Sequence, residues 1–108
     1  MSEGKGRFDL LPMFALTEVA KLMEAGARKY GDSNCYLGIP NHSFVDSAFR
    51  HLNKFTRGDW DEPHLVQAAW NLLMAIDQRE RIRLGRLSPK FDDIGPRVDV
   101  EVECVEEL

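Results

Sequence analysis

From Leu65 to Ile76 the chain is apolar at almost every position, and this run limits its fold more than any other feature. Asp61 and Pro63 mark the start of a helix, with Pro63 in the first turn, and the charged sequence from Asp77 to Arg83 marks its solvated end. A helix apolar on one stripe needs one neighbour, whereas a helix apolar all round must be enclosed all round. The longest apolar stretch, Ala68 to Ile76 interrupted by Asn71, is far too short to span a membrane, so the enclosure must be protein. A chain of 108 residues builds one thin core, and a second copy is the natural cover. The expectation is a homo-oligomer, a dimer or a dimer of dimers, with this helix in the interface.

Two more helices are legible. The first runs from about Pro12 to Lys29, its start set by Asp9 or Pro12 and its end by Gly31. Leu16, Val19, Ala20, Met23 and Ala27 recur on one of its faces. Residues 31–42 are rich in Gly, Asn, Asp and Pro and read as a loop. The second helix spans Ser43 to Arg57, with Ser43 and Asp46 as an approximate capping box and Gly58 just past its end. Val45, Ala48, Phe49, Leu52 and Phe55 are its expected buried stripe. Beyond a turn-rich connector, Val98, Val100, Val102 and Cys104 alternate with acidic residues, which is a short strand pattern. The fold class is therefore all-α, a small bundle of three main helices with a short β-like C-terminal tail. Its division is a helical domain over 1–84 and a connector with tail strand over 85–108.

Two cysteines, Cys35 and Cys104, make neither a disulfide framework nor a metal knuckle, and the polar N-terminus lacks the apolar core of a secretion signal. Both point to the cytoplasm. A net charge of −4 argues against nucleic acid as the main partner, since phosphate backbones select basic surfaces.

Against that acidic background one basic row stands out. Arg50, Lys54 and Arg57 share a face of the second helix at i, i+4 and i+7. Asp46 can neutralise Arg50 one turn away; otherwise the row is a phosphate clamp, because guanidinium binds phosphate oxygens in a bidentate fork. The segment that follows packs Asp59, Asp61 and Glu62 into four residues. Asp61 and Glu62 can serve as helix caps, or the three can hold Mg²⁺ or Mn²⁺, which take carboxylate oxygens together with substrate phosphates. Asp77 and Glu80, further along, can pair with Arg81 and Arg83 or add ligands. Asn71 inside the apolar run needs a partner, since a buried unbonded amide costs roughly 1–3 kcal/mol. Trp70 beside it is core or a stacking wall.

Several of these residues recur in a pattern. Gly6-Arg7-Phe8-Asp9-Leu10-Leu11-Pro12, Gly26-Ala27-Arg28-Lys29-Tyr30-Gly31 with Asn34, Arg50-His51, Arg57-Gly58-Asp59, Asp61-Glu62, His64-Leu65 and Ala68-Ala69-Trp70-Asn71 follow one another in order. Together they resemble the small phage and prophage dATP/dGTP diphosphohydrolases, a MazG-like group, over about residues 5–80. The resemblance implies an oligomeric all-α enzyme that cuts a purine deoxynucleoside triphosphate, dGTP or dATP, between the α and β phosphates, in the cytoplasm of a bacterial host if phage-encoded. MazG enzymes proper carry Glu-Glu-x-x-Glu on one helix, whereas the first helix here has only Glu18 and Glu24. The metal site is thus drawn from the chain's own carboxylates. The expected assignments are Asp61 and Glu62 for catalysis, with Mg²⁺ or Mn²⁺ held among Glu18, Asp59, Asp61, Glu62 and Asp77. Substrate falls to Arg7, Lys29, Asn34, Arg50, Lys54, Trp70 and Asn71. Two alternatives remain. A phosphohydrolase of the HD type would use His51, His64 and Asp77, but it needs an adjacent His-Asp pair that the sequence lacks. A non-catalytic helical adaptor would treat every charge as solvated surface and pair its tail strand with a partner; such an adaptor would bind no divalent cation specifically.

Overall fold

A computed structural model of the protein describes residues 4–94. Three helices organise it: α1 over Met13–Tyr30, α2 over Asn41–Thr56 and α3 over His64–Arg83, with short 3-10 turns at Phe8–Leu10, Asn34–Tyr36 and Pro89–Phe91. No strand occurs among the described residues, and the tail expected at 98–104 lies outside them. None of the described helices is long and apolar enough to cross a membrane. The α2–α3 hairpin is the most extensive packing unit, and α1 lies against α3.

Helix α1 begins after Pro12 and ends where Gly31, at φ +93°, donates its backbone N–H to the Ala27 carbonyl. That conformation disfavours a Cβ, so the expected stop is the real one. Its inward side is Leu16, Val19, Leu22, Met23, Gly26 and Ala27, all half-buried, while Ala20 is exposed.

Helix α2 departs from the sequence reading in two ways. It starts two residues before Ser43, after Pro40, and no Ser43–Asp46 capping box forms. The open N-terminus is capped from far along the chain instead: the Asp93 carboxylate accepts the backbone N–H of His42 at 2.9 Å and also pairs with the His42 ring. The inward face is also rotated from the expected stripe. Asn41, Phe44 and Ala48 are buried and His51 is half-buried, whereas Phe49, Leu52 and Phe55 are exposed. The sequence reading put Asn41 in the loop and left His51 off the stripe, but both are engaged in polar networks inside the fold.

The Asn41 network holds the hairpin to the loop. Gln78 is fully buried; its amide nitrogen donates to the Ile39 carbonyl and to Asn41 Oδ1, each at 2.6 Å, and its oxygen accepts the Ile39 N–H at 3.1 Å. The connector after α3 closes over the same corner. Asn41 donates to Asp92, and the Phe91 ring lies against Gly38, where an added Cβ would sit 2.5 Å from ring carbons.

Within one chain α3 is not enclosed all round. His64, Ala68, Asn71, Met74, Gln78 and Ile82 form its buried face, while Leu65, Leu72, Leu73 and Ile76 remain exposed. At about 3.6 residues per turn, the α2 positions Val45, Phe49 and Leu52 and the α3 positions Leu65, Leu72 and Ile76 fall on the side of the hairpin away from α1.

Candidate functional site

On the other side of the hairpin, α1, the 31–39 loop and the first half of α3 enclose a cleft of about 590 Å³. That is within the size range of small-molecule sites. Met23, Gly26, Ala27, Lys29 and Tyr30 come from α1, Ser33, Asn34, Cys35, Tyr36 and Ile39 from the loop, Ser47 and His51 from α2, and Glu62, Gln67, Trp70 and Asn71 from the start of α3. Aromatic rings, amides, one lysine and one carboxylate thus line a single cavity.

The walls are fixed from behind. Arg81 donates to the Tyr36 carbonyl at 3.1 Å and stacks over the Tyr36 ring at 4.9 Å, which ties the 34–36 turn to the far end of α3. Ser33 sits in the left-handed region at φ 63°, an unusual conformation for a residue with a side chain. Trp70 meets Phe44 edge-on at 6.1 Å, so it is anchored in the core at one edge while lining the cleft. Asn71 resolves its burial within its own helix: its amide donates to the Gln67 carbonyl at 2.8 Å.

At the mouth of α3 three polar side chains line up. The His64 side chain is fully enclosed; its Nε2 lies 2.8 Å from Asp61 Oδ1, and its Nδ1 lies 2.9 Å from His51 Nδ1. The rings are 5.2 Å apart and tilted by 30°. The hydrogen bond from His64 holds the Asp61 carboxyl below its ordinary range. Burial pushes His51 below its ordinary value, the nearby His64, Lys54 and Arg50 act in the same sense, and Glu62 opposes them. Neither acidic side chain caps the helix. Asp61 takes the His64 ring, and Glu62 accepts the Gln67 amide at 2.9 Å.

Of the residues singled out from sequence, Lys29, Asn34, Glu62, Trp70 and Asn71 line the cleft, and Asp61 stands next to Glu62. Arg50 and Lys54 lie near enough to His51 to oppose its protonation, but Arg50 is held by Asp46 and Ser47. Arg7 pairs with Asp9 at the other end of the chain. The remaining carboxylates are not brought to Asp61 and Glu62: Glu18 pairs with Lys21, Asp59 with Arg57 and Asp77 with Arg81. The sequence reading left Gln67 out and gave His51 and His64 only a minor part. His64 carried a signal in its place directly after Pro63 at a helix start, within one turn of two carboxylates.

Asp61, Glu62 and His64 each present a ligand-type atom, and these atoms lie within 4.8 Å of one another. Both ring nitrogens of His64 are engaged, so the oxygens of Asp61 and Glu62 are the donors on offer. Carboxylate oxygens suit a hard divalent cation.

Compared with known proteins, the chain matches a family model described as dATP/dGTP diphosphohydrolase, N-terminal, over residues 1–86. No curated protein and no solved structure matches it.

Proposed function

This chain belongs to the dATP/dGTP diphosphohydrolase N-terminal family, and on that premise we propose that it hydrolyses a purine deoxynucleoside triphosphate to the monophosphate and pyrophosphate with Mg²⁺ or Mn²⁺. The observation that carries the reading is the cleft itself. Tyr30, Tyr36 and Trp70 offer ring faces, Asn34, Gln67 and Asn71 offer amide edges, and Lys29 and Glu62 sit on the same walls. Stacking faces and amides suit a base, and a lysine suits a phosphate.

A triphosphate carries about four negative charges, which repel an attacking hydroxide. Lys29 within the cleft, with Lys54 and Arg50 near its His51 edge, would offset part of that charge. Asp61 and Glu62 would hold the cation. Bound there, the ion would neutralise phosphate charge and make water a better nucleophile. Gln67 keeps Glu62 in place through its amide.

The apolar side of the hairpin away from α1 belongs to the same proposal. Phe49 and Ile76 are more than 65% exposed in the single chain, and a second copy laid there would close a four-helix layer. Exposed contiguous apolar surface of this kind marks an interaction site. A micromolar sample that scatters light as a monomer would refute this part.

Incubation with each of the eight common (d)NTPs, with Mg²⁺ and with Mn²⁺, tests the function. The expected products are a purine deoxynucleoside monophosphate and pyrophosphate from dGTP, dATP or both, seen by chromatography. No turnover of any nucleotide, together with no calorimetric binding of Mn²⁺, would overturn the reading in favour of a non-catalytic adaptor.

A further inference from the structure

We infer that Asn71 sets the base specificity of the cleft: its side-chain oxygen takes a hydrogen bond from an N–H on the edge of an aminopurine. The inference rests on the nucleotide reading above and deepens it by naming the group that reads the base. Its ground is an amide with one end bonded and the other left over.

Asn71 is only 7% exposed and lines the cleft. Its neighbours on the same face of α3, Ala68, Met74 and Gln78, are buried in the hairpin, so the cleft is the space on which it opens. Its Nδ2 donates to the Gln67 carbonyl, one turn back, at 2.8 Å. A backbone carbonyl only accepts, so the nitrogen must face the helix and the oxygen must point away from that bond. The assignment depends on no protonation state. Among the described residues Asn71 Oδ1 has no partner, and it is not closed off from solvent as the unbonded Gln67 Oε1 is. A buried acceptor without a partner is costly, and such a group in a folded protein calls for an explanation. A ligand that brings a donor supplies one.

The surroundings say which donor. Trp70, the preceding residue, lines the same cleft with one edge anchored on Phe44, and Tyr30 and Tyr36 line it too. A base held by its face on aromatic side chains is read along its edge by hydrogen bonds. On that edge adenine offers its 6-amino group, and guanine offers its N1–H and 2-amino group. An unsubstituted purine has the same two rings and none of these donors. The Asn71 oxygen therefore separates aminopurines from a bare purine of the same shape.

The experiment compares dATP and dGTP with the triphosphate of unsubstituted purine deoxyriboside, in the wild type, Asn71→Leu and Asn71→Ser. Leucine keeps the volume. Serine can keep the helix bond, because its hydroxyl can donate to the carbonyl four residues back. In the wild type, kcat/KM for the better aminopurine nucleotide should exceed that for the unsubstituted one by about tenfold or more. In both variants that ratio should fall to within about threefold, with the fold intact by circular dichroism. A merely structural role would lower all three nucleotides alike and leave the ratio unchanged. Calorimetry with the matching monophosphates, which needs no turnover, should show the same preference in Kd. Equal handling of aminopurine and unsubstituted nucleotides by the wild type would overturn the inference without any variant, and so would an unchanged ratio in either folded variant. Discrimination in binding without turnover would sink the hydrolase reading and leave the role of Asn71 standing. Turnover with an unchanged ratio would sink the role of Asn71 alone.

Discussion

Replacing Gln78 by leucine should cost this protein a large share of its stability, and the structure says where the loss arises. Gln78 is fully buried and makes three hydrogen bonds, to the Ile39 carbonyl, the Ile39 N–H and Asn41 Oδ1. Leucine nearly matches the volume, so the cavity term is small. What remains is polar. Asn41 is only 1% exposed, so its oxygen loses a partner that water cannot replace, at about 1–3 kcal/mol. Ile39 is half-buried, and each of its two lost bonds costs about 0.5–1.5 kcal/mol. Some of this returns as apolar burial, which leaves a net loss of about 3 kcal/mol. For a domain of this size that corresponds to a drop in Tm of roughly 12–24 °C. Urea unfolding followed by circular dichroism checks the value, and an unchanged slope would confirm that stability rather than denatured-state compactness has moved. Because the stranded Asn41 oxygen is the dearest item, Asn41→Leu made in the Gln78→Leu background should cost less than in the wild type, with a coupling of about 1 kcal/mol or more. A single-variant loss below about 1 kcal/mol, or strict additivity in the double variant, would refute the argument.

Other outcomes follow from the same structure. Gly38→Ala should destabilise by about 2–4 kcal/mol, since Gly38 holds φ +110° and its new Cβ would collide with Phe91. Gly26→Ala, which meets nothing within 4 Å, should be neutral or slightly stabilising in the same thermal scans. Asp93 is held below the ordinary 3.8 by the His42 ring and then by the His42 N–H. Its contribution is therefore fully present above 3.8 and lost as pH falls through the lower folded value, so wild type and Asp93→Asn should differ in urea midpoint at pH 7 and converge in strong acid. Asp61→Asn and Glu62→Gln should abolish Mg²⁺-dependent or Mn²⁺-dependent turnover while the chain stays folded by circular dichroism. Full turnover in both would remove these carboxylates from the metal site.

The three helices were readable because their ends carry local chemistry. Pro12, Gly31, Pro63 and the charged stretch after Ile76 each act within a turn of themselves, and all four boundaries fall within a residue or two of where the sequence puts them. The start of α2 was not readable, because its cap comes from Asp93, some 51 residues away. A capping box is a local signal, and nothing local announces a distant carboxylate. The rotation of α2 has a related cause. Hydropathy ranks Phe49 and Leu52 above Asn41 and His51, yet the polar pair goes inward because Gln78 and His64 are waiting for them. Periodicity reports which faces are apolar; it cannot report which polar groups have partners across a hairpin.

The same distinction governs the site. Lys29, Asn34, Glu62, Trp70 and Asn71 were legible as types, and the fold brings them to one cleft. Arg50 was legible as a cation that Asp46 could hold one turn away, and the fold does pair the two, with Ser47 as a second partner that the sequence did not announce. The histidine chain was the least legible part, because its meaning lies in order, not composition. Three histidines in 108 residues say little, and His51 and His64 are thirteen residues apart. Only the antiparallel α2–α3 hairpin sets their rings side by side, with the carboxylate three residues before His64 against its other nitrogen. A sequence can place the two rings on their helices and the carboxylate just before the second, but only the hairpin joins the three into one hydrogen-bonded row.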